Sequence, residues 1–217
     1  LVVEEGRVDI RAYWSLKPEI DGNRTEKAWI DELRSEMERA VREQMVSDVP
    51  IGAFLSGGID SSAVVAFMSR HTDQPVRTYS IGFAGSSGAA LYNELPHARA
   101  VAQAFGTTHR EILVQPDVAA LLPQLLWHMD EPVADAAFIT TYLVSKFARE
   151  DVTVILSGVG GDELFGGYRR YLDEHYRRYY QRIPRLIRRG LIDPIARRLP
   201  SDRHHRLLNE LRLAKAF

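Results

Sequence analysis

Cysteine is absent from the 217 residues. That absence excludes disulfides, thiolate metal sites and a cysteine nucleophile within this stretch. No uninterrupted apolar run approaches the ~20 residues of a membrane-spanning helix, and no signal-peptide pattern opens the chain. None of the seven histidines falls at a metal-ligand spacing such as HxxxH. Net charge is small as well, formally −1 at pH 7, while 45% hydrophobic and 26% charged residues are the proportions of an ordinary globular protein. The length suffices for one substantial domain with a small appendage. Leu1 is not an initiator, so the chain reads as a piece of a longer protein. The near-neutral balance hides an asymmetry: from Tyr168 onward, fourteen Lys and Arg face five Asp and Glu. That basic, tyrosine-rich tail is a nucleic-acid signal in composition alone. No nucleic-acid motif accompanies it, so arginine-faced helices packing on a partner are the favoured reading.

What is present is concentrated in two strings. The apolar run Ile51–Leu55 leads directly into Ser56-Gly57-Gly58-Ile59-Asp60-Ser61-Ser62, a buried strand, a glycine-rich turn and a helix opened by hydroxyls. Glycines 57 and 58 let an anion approach the backbone amides and permit positive φ. The first N–H groups of a helix are unpaired and lie along its dipole, so phosphate supplies what they lack. Ser56, Ser61 and Ser62 each carry an O–H to donate. Asp60 would repel phosphate unless a divalent cation lies between them. No Gly-Lys-Ser/Thr follows, which excludes the Walker A loop. The plainer reading is a strand-to-helix turn capped by Asp60 or a serine. The second string, Ser157-Gly158-Val159-Gly160-Gly161-Asp162-Glu163, follows the β-branched run Val152–Leu156. Ligands of open α/β sheets bind beyond the carboxyl ends of strands, at a switch in topology. Two such turns would face one crevice, with Asp60 and Asp162 sharing a magnesium ion. Asp162 and Glu163 also suit a helix N-terminus, at about 0.3–1 kcal/mol each.

The first string resembles the PP-loop, SGGxDS, of ATP pyrophosphatases. The longer second string, from Ser157 through Gly166-Gly167-Tyr168 to Tyr171, is similar to that of the asparagine synthetase family. Ala12–Leu16, Ser47–Leu55, Tyr79–Phe83, Tyr92–Glu94, Gly106–His109 and Trp127–Pro132 add to the likeness, which fades after Tyr171. The resemblance implies an α/β fold: a parallel, doubly wound sheet with helices on both faces and a helical C-terminal segment. It divides the chain into a lead-in at 1–22, a PP-loop ATP-binding synthetase domain at 23–171 and a basic helical segment at 172–217. It further implies ATP and Mg2+ as cofactors. Ser56, Gly57, Gly58, Asp60, Ser61 and Ser62 would hold the triphosphate, with Asp60 and Asp162 as catalytic metal ligands. Ser157 and Gly158 would contact the AMP portion, Ile81 would lie against adenine, and Phe54 or Leu55 would form another wall. Each of these apolar residues is more simply a core side chain.

The pattern along the chain places an extended lead-in before Gly22 and a helix over Thr25–Val46 whose Trp29, Leu33, Met37, Ala40, Val41 and Met45 face the core. A helix over Asp60–Arg70 turns Ala63, Val64, Phe67 and Met68 inward. Strands are predicted at Val76–Phe83 and His109–Val114, and helices at Asn93–Phe105, Asp117–His128 and Phe138–Arg149. A flexible loop is predicted at Gly85–Gly88. The acidic connection Asp130–Asp135 reads equally as a solvated link or as a wall of the nucleotide pocket. This order predicts a parallel sheet with crossover helices.

The activity implied is ATP-dependent amide formation through an adenylated carboxylate, aspartate becoming asparagine, with AMP and pyrophosphate released. Ammonia would come from glutamine through a domain that this chain lacks, and the localisation implied is cytoplasmic, without a membrane. A homodimer is compatible with the resemblance. Two features depart from the family. Val159 stands where a glutamate with a catalytic or acceptor-positioning role is usual, and a later basic residue would lie beyond Phe217. Three alternatives therefore stay open: an amidotransferase with another acceptor, a PP-loop tRNA-modifying enzyme, and a non-catalytic nucleotide-binding module.

Overall fold

The computed structural model describes residues 1–18, 20–84, 93–115, 117–131, 133, 135, 137–192 and 194. The loop expected at Gly85–Gly88, Tyr92, part of the Asp130–Asp135 connection and the tail from 195 lie outside the described residues. The first strands, β1 (Val2–Glu4) and β2 (Arg7–Asp9), pair antiparallel as an exposed hairpin. Its two turn residues, Glu5 and Gly6, have φ of 49° and 75°, the left-handed pair that matches strand twist in a two-residue hairpin. The lead-in is therefore a hairpin rather than a plain extended segment, because Glu5-Gly6 supplies the turn.

Helix α1 (Glu26–Gln44) begins at Thr25, whose hydroxyl accepts from the Ala28 amide. Only part of its expected core stripe is buried. Val41 is covered and Met37 and Met45 are partly so, while Trp29, Leu33 and Ala40 are exposed. The first half of α1 runs past the edge of the core, so correct helical spacing does not by itself produce burial.

The central unit alternates β3 (Ile51–Phe54), α2 (Ile59–Arg70), β4 (Arg77–Phe83), α3 (Leu95–Phe105), β5 (Thr108–Val114), α4 (Val118–Met129), α5 (Ala137–Ala148) and β6 (Val154–Leu156). The four strands form one parallel sheet in the order β5-β4-β3-β6. Alternation along the strands sends side chains to two cores. Ala53, Leu55 and Leu156 pack with Val41 of α1, Val64, Val65 and Met68 of α2, and Ala98 and Ala102 of α3. Phe54, Tyr79, Ile81 and Ile155 pack on the other face with Val144, Phe147 and Ala148 of α5. Helices therefore cover both faces, and the fold is the doubly wound α/β class expected. The chain moves outward from β3 through β4 to β5, then returns to the other side of β3 as β6. The switch in direction lies between β3 and β6, the two strands that feed the glycine-rich strings. A short helix α6 (Gly161–Phe165), then α7 (Arg169–Arg182), α8 (Arg185–Ile187) and a π-helical turn at Arg188–Ile192 follow.

Beneath the site, Tyr79 joins sheet and helix. It is 1% exposed, and its hydroxyl donates to Asp151 Oδ2 at 3.2 Å. Burial first, and the Asp151 carboxylate second, push the phenol from its ordinary value of 10.0 up to about 12. A folded value above the unfolded one means this stability is fully present below pH 10 and is lost as pH rises toward 12. Tyr79→Phe is expected to flatten that alkaline decline when urea unfolding is followed against pH. An undiminished slope would assign the decline to other groups.

Candidate nucleotide and phosphate site

The loop after β3 is shaped from within. Ser61 is 8% exposed; its Oγ accepts from the Ser56 amide at 3.2 Å, lies 3.0 Å from Ser56 Oγ, and donates to the Gly58 carbonyl at 3.3 Å. Ser56 Oγ in turn accepts from the Gly58 amide at 3.2 Å. The Ser61 hydroxyl is thus part of what holds the turn in shape. Ser62 Oγ is buried without a hydrogen-bond partner among the described residues, a costly arrangement for a hydroxyl. Gly57 has φ +83°, and a Cβ there would meet the His97 backbone at 2.5 Å and the Ala98 amide nitrogen at 2.6 Å. The first turn of α3 therefore lies directly on the glycine-rich loop after β3.

The two strings come together. A Cβ on Gly158 would lie 2.6 Å from the Ser61 amide nitrogen and 2.9 Å from Asp60 Cβ, and one on Gly161 would meet the Asp60 carboxylate oxygens. The second loop thus packs backbone-first onto the start of α2, which only glycine allows. Asp60 sits in the first turn of α2 and Asp162 in the first turn of α6. The Asp60 carboxylate faces Gly161, and that of Asp162 packs against Gly167. Among the described residues, no cluster of three or more His, Cys, Asp or Glu gathers as a metal cage. Asp60 makes no hydrogen bond or ion pair with them. An uncommitted carboxylate beside a glycine-rich loop has the chemistry to hold a magnesium ion that phosphate oxygens would complete, since magnesium commonly takes only one or two protein carboxylates.

Beside the loops is a cleft of about 260 Å³ bounded by Phe54, Leu55, Ser56, Ile81 and Ser157 from the sequence reading. Of the first pair, Phe54 belongs to the core on the cleft side, while Leu55 is 1% exposed and packs in the opposite core. Sequence reasoning missed the remaining walls: Tyr79 and Ser80 of β4, Glu94 and Leu95 at the head of α3, and Thr140, Thr141 and Val144 of α5. The alternation of Tyr79 with Ile81 on one strand face was the available signal. Nothing local in sequence marks α5 as a wall. Val159 also borders the cleft and is 89% exposed. Glu94 is the charged side chain among these described lining residues.

The parallel sheet, the switch between β3 and β6 and the paired glycine loops define a PP-loop type of α/β protein. The family model described as asparagine synthase matches residues 32–216, and the chain belongs to that family. It is 39% identical over 192 residues to a Methanocaldococcus jannaschii protein provisionally named a glutamine-hydrolysing asparagine synthetase, covering 87% of this chain and 36% of that protein. It is 38% identical over 164 residues to glutamine-hydrolysing asparagine synthetase 1 of Bacillus subtilis, covering 75% of this chain and 25% of that enzyme. The chain spans about a quarter to a third of the length of these curated relatives. Among solved structures, an NH3-dependent NAD synthetase from Campylobacter jejuni aligns with TM-score 0.42 and 17% identity, covering 64% of this chain and 60% of that one.

Proposed function

We propose that this chain is the ATP-binding part of an enzyme that forms an amide by adenylating a carboxylate, aspartate becoming asparagine. The observation that carries this reading is the contact between the two glycine-rich loops beside the cleft, with Gly158 and Gly161 seated on Asp60. Ammonia does not displace hydroxide from a carboxylate at a useful rate, because hydroxide is a poor leaving group. Transfer of AMP to the carboxylate makes a good one. The carboxylate oxygen attacks the α-phosphorus, the bond to the pyrophosphate oxygen breaks, and ammonia then attacks the acyl carbon as AMP departs. In this reading the amides of Gly57 and Gly58 and the Ser56 hydroxyl hold the phosphates, while Ser61 keeps the turn in shape. Phe54, Ile81 and the Tyr79 ring exclude water around the base, and Ser157 and Gly158 meet the AMP portion. Asp60 and Asp162 would hold magnesium, whose charge offsets that of the departing pyrophosphate. Ammonia would come from glutamine through a partner domain outside this chain.

Aspartate-dependent exchange of labelled pyrophosphate into ATP is the expected result, followed by AMP release that requires ammonium. A folded sample that binds MgATP but exchanges with no carboxylic acid would leave only the nucleotide-binding module. Val159, exposed on the cleft wall, favours a second reading, an acceptor other than aspartate. A panel of carboxylic acids in the same assay separates the two.

A further inference from the structure

The cleft wall formed by α5 is fixed to the sheet from one end. Residues 140, 141 and 144 line the cleft, and Val144 lies four residues before Ala148, about 6 Å along the axis. Just beyond, Asp151 accepts from the Tyr79 hydroxyl at 3.2 Å, pairs with Arg110 Nη1, and takes Arg77 Nη1 on its carbonyl at 3.1 Å. Arg110, the cross-strand partner of Tyr79 on β5, also donates to Glu150 at 2.9 Å and lies 4.6 Å from the centre of the Phe147 ring. Phe147 meets Tyr79 edge to face with centroids 6.0 Å apart. Gly52 makes this possible: a Cβ there would lie 2.9 Å from Tyr79 Cε2, so the phenol ring crosses β3 only because that position is bare. Tyr79 is also one of the residues that border the cleft.

We propose that Asp151 is a positioning residue for the cleft, acting through Tyr79 and Arg110 to set the separation between α5 and the sheet. Asp151 is not among the residues that border the cleft; it holds Tyr79 and α5, which are. The proposal rests on the nucleotide reading above for its ligand and on the geometry of this clamp for everything else.

The test compares Tyr79→Phe, Asp151→Ala and the double variant, each confirmed as folded by circular dichroism. Titration calorimetry with MgATP is expected to give a Kd raised about three- to tenfold in each single variant. The double variant should be no weaker than the weaker single one, because both changes break one device. Amide hydrogen exchange at residues 140–144 should accelerate relative to α2. A side chain that merely supports the fold would lower the melting temperature and leave Kd unchanged. An unchanged Kd in Tyr79→Phe, multiplied losses in the double variant, or unaltered exchange at 140–144 overturns the proposal. If the unmodified chain binds no MgATP while exchange in α5 still accelerates in the variants, the nucleotide reading fails and the clamp stands.

Discussion

Asp60→Ala is expected to lower ATP–pyrophosphate exchange by about 10²–10³-fold while the chain stays folded. A metal-held charge on a transferring phosphoryl group is worth several kcal/mol, and each ~1.4 kcal/mol is a factor of ten in rate. The structural cost is small by comparison. Asp60 makes no ion pair or hydrogen bond among the described residues, so the fold loses chiefly its favourable placement at the N-terminus of α2, about 0.3–1 kcal/mol. The sign of a second readout is equally informative. A bare carboxylate beside the phosphate loop opposes ATP in the absence of metal, so the variant should bind metal-free ATP at least as well as the parent. It should, however, lose most of the gain that magnesium confers. Asp60→Asn should behave alike, since it keeps the shape and removes the charge. Full exchange in Asp60→Ala would remove Asp60 from the site, and equal loss of metal-free and magnesium-bound ATP affinity would make its role one of loop shape.

The sheet was legible because its strands are short β-branched runs separated by helical patterns, and in such a chain few topologies remain. The two loops were legible for a stronger reason: their glycines answer to local geometry, a positive φ at Gly57 and backbone contact at Gly158 and Gly161. Burial was less legible. Trp29 and Leu33 have helical spacing yet are exposed, because periodicity says which face a residue shares and not what that face meets. Ser61 and Ser62 show the same limit at closer range. They stand three and four positions after Gly58, yet one hydroxyl staples the loop and the other is buried with no partner among the described residues. The α5 wall and the Tyr79–Asp151–Arg110 clamp depend on contacts between residues far apart in the chain, 72 positions for Tyr79 and Asp151. Composition and spacing carry no record of such pairings.

Gly57→Ala is the substitution expected to disturb fold and site together. Its φ of +83° lies in the left-handed region, which costs an alanine roughly 1–2 kcal/mol. The added methyl would also press on the backbone of His97 and Ala98 at 2.5–2.6 Å, and overpacking of that kind costs about 1–3 kcal/mol. Backbone in a helix cannot rotate aside as a side-chain tip does. The relief available is movement of the first turn of α3, and that turn carries Glu94 and Leu95 on the cleft wall. A combined loss of about 2–5 kcal/mol should therefore appear as a melting temperature lower by about 4–20 °C for a chain of this size. MgATP affinity should fall at least tenfold. Gly106→Ala is the matched control. Its φ of +62° imposes comparable strain, but no described residue lies within 4 Å of the added methyl, so it should lose some stability and no affinity. Equal affinities in the two variants would show that α3 does not act as the outer wall of the phosphate loop. A selective loss in Gly57→Ala would tie nucleotide binding to the seating of that helix on a residue without a side chain.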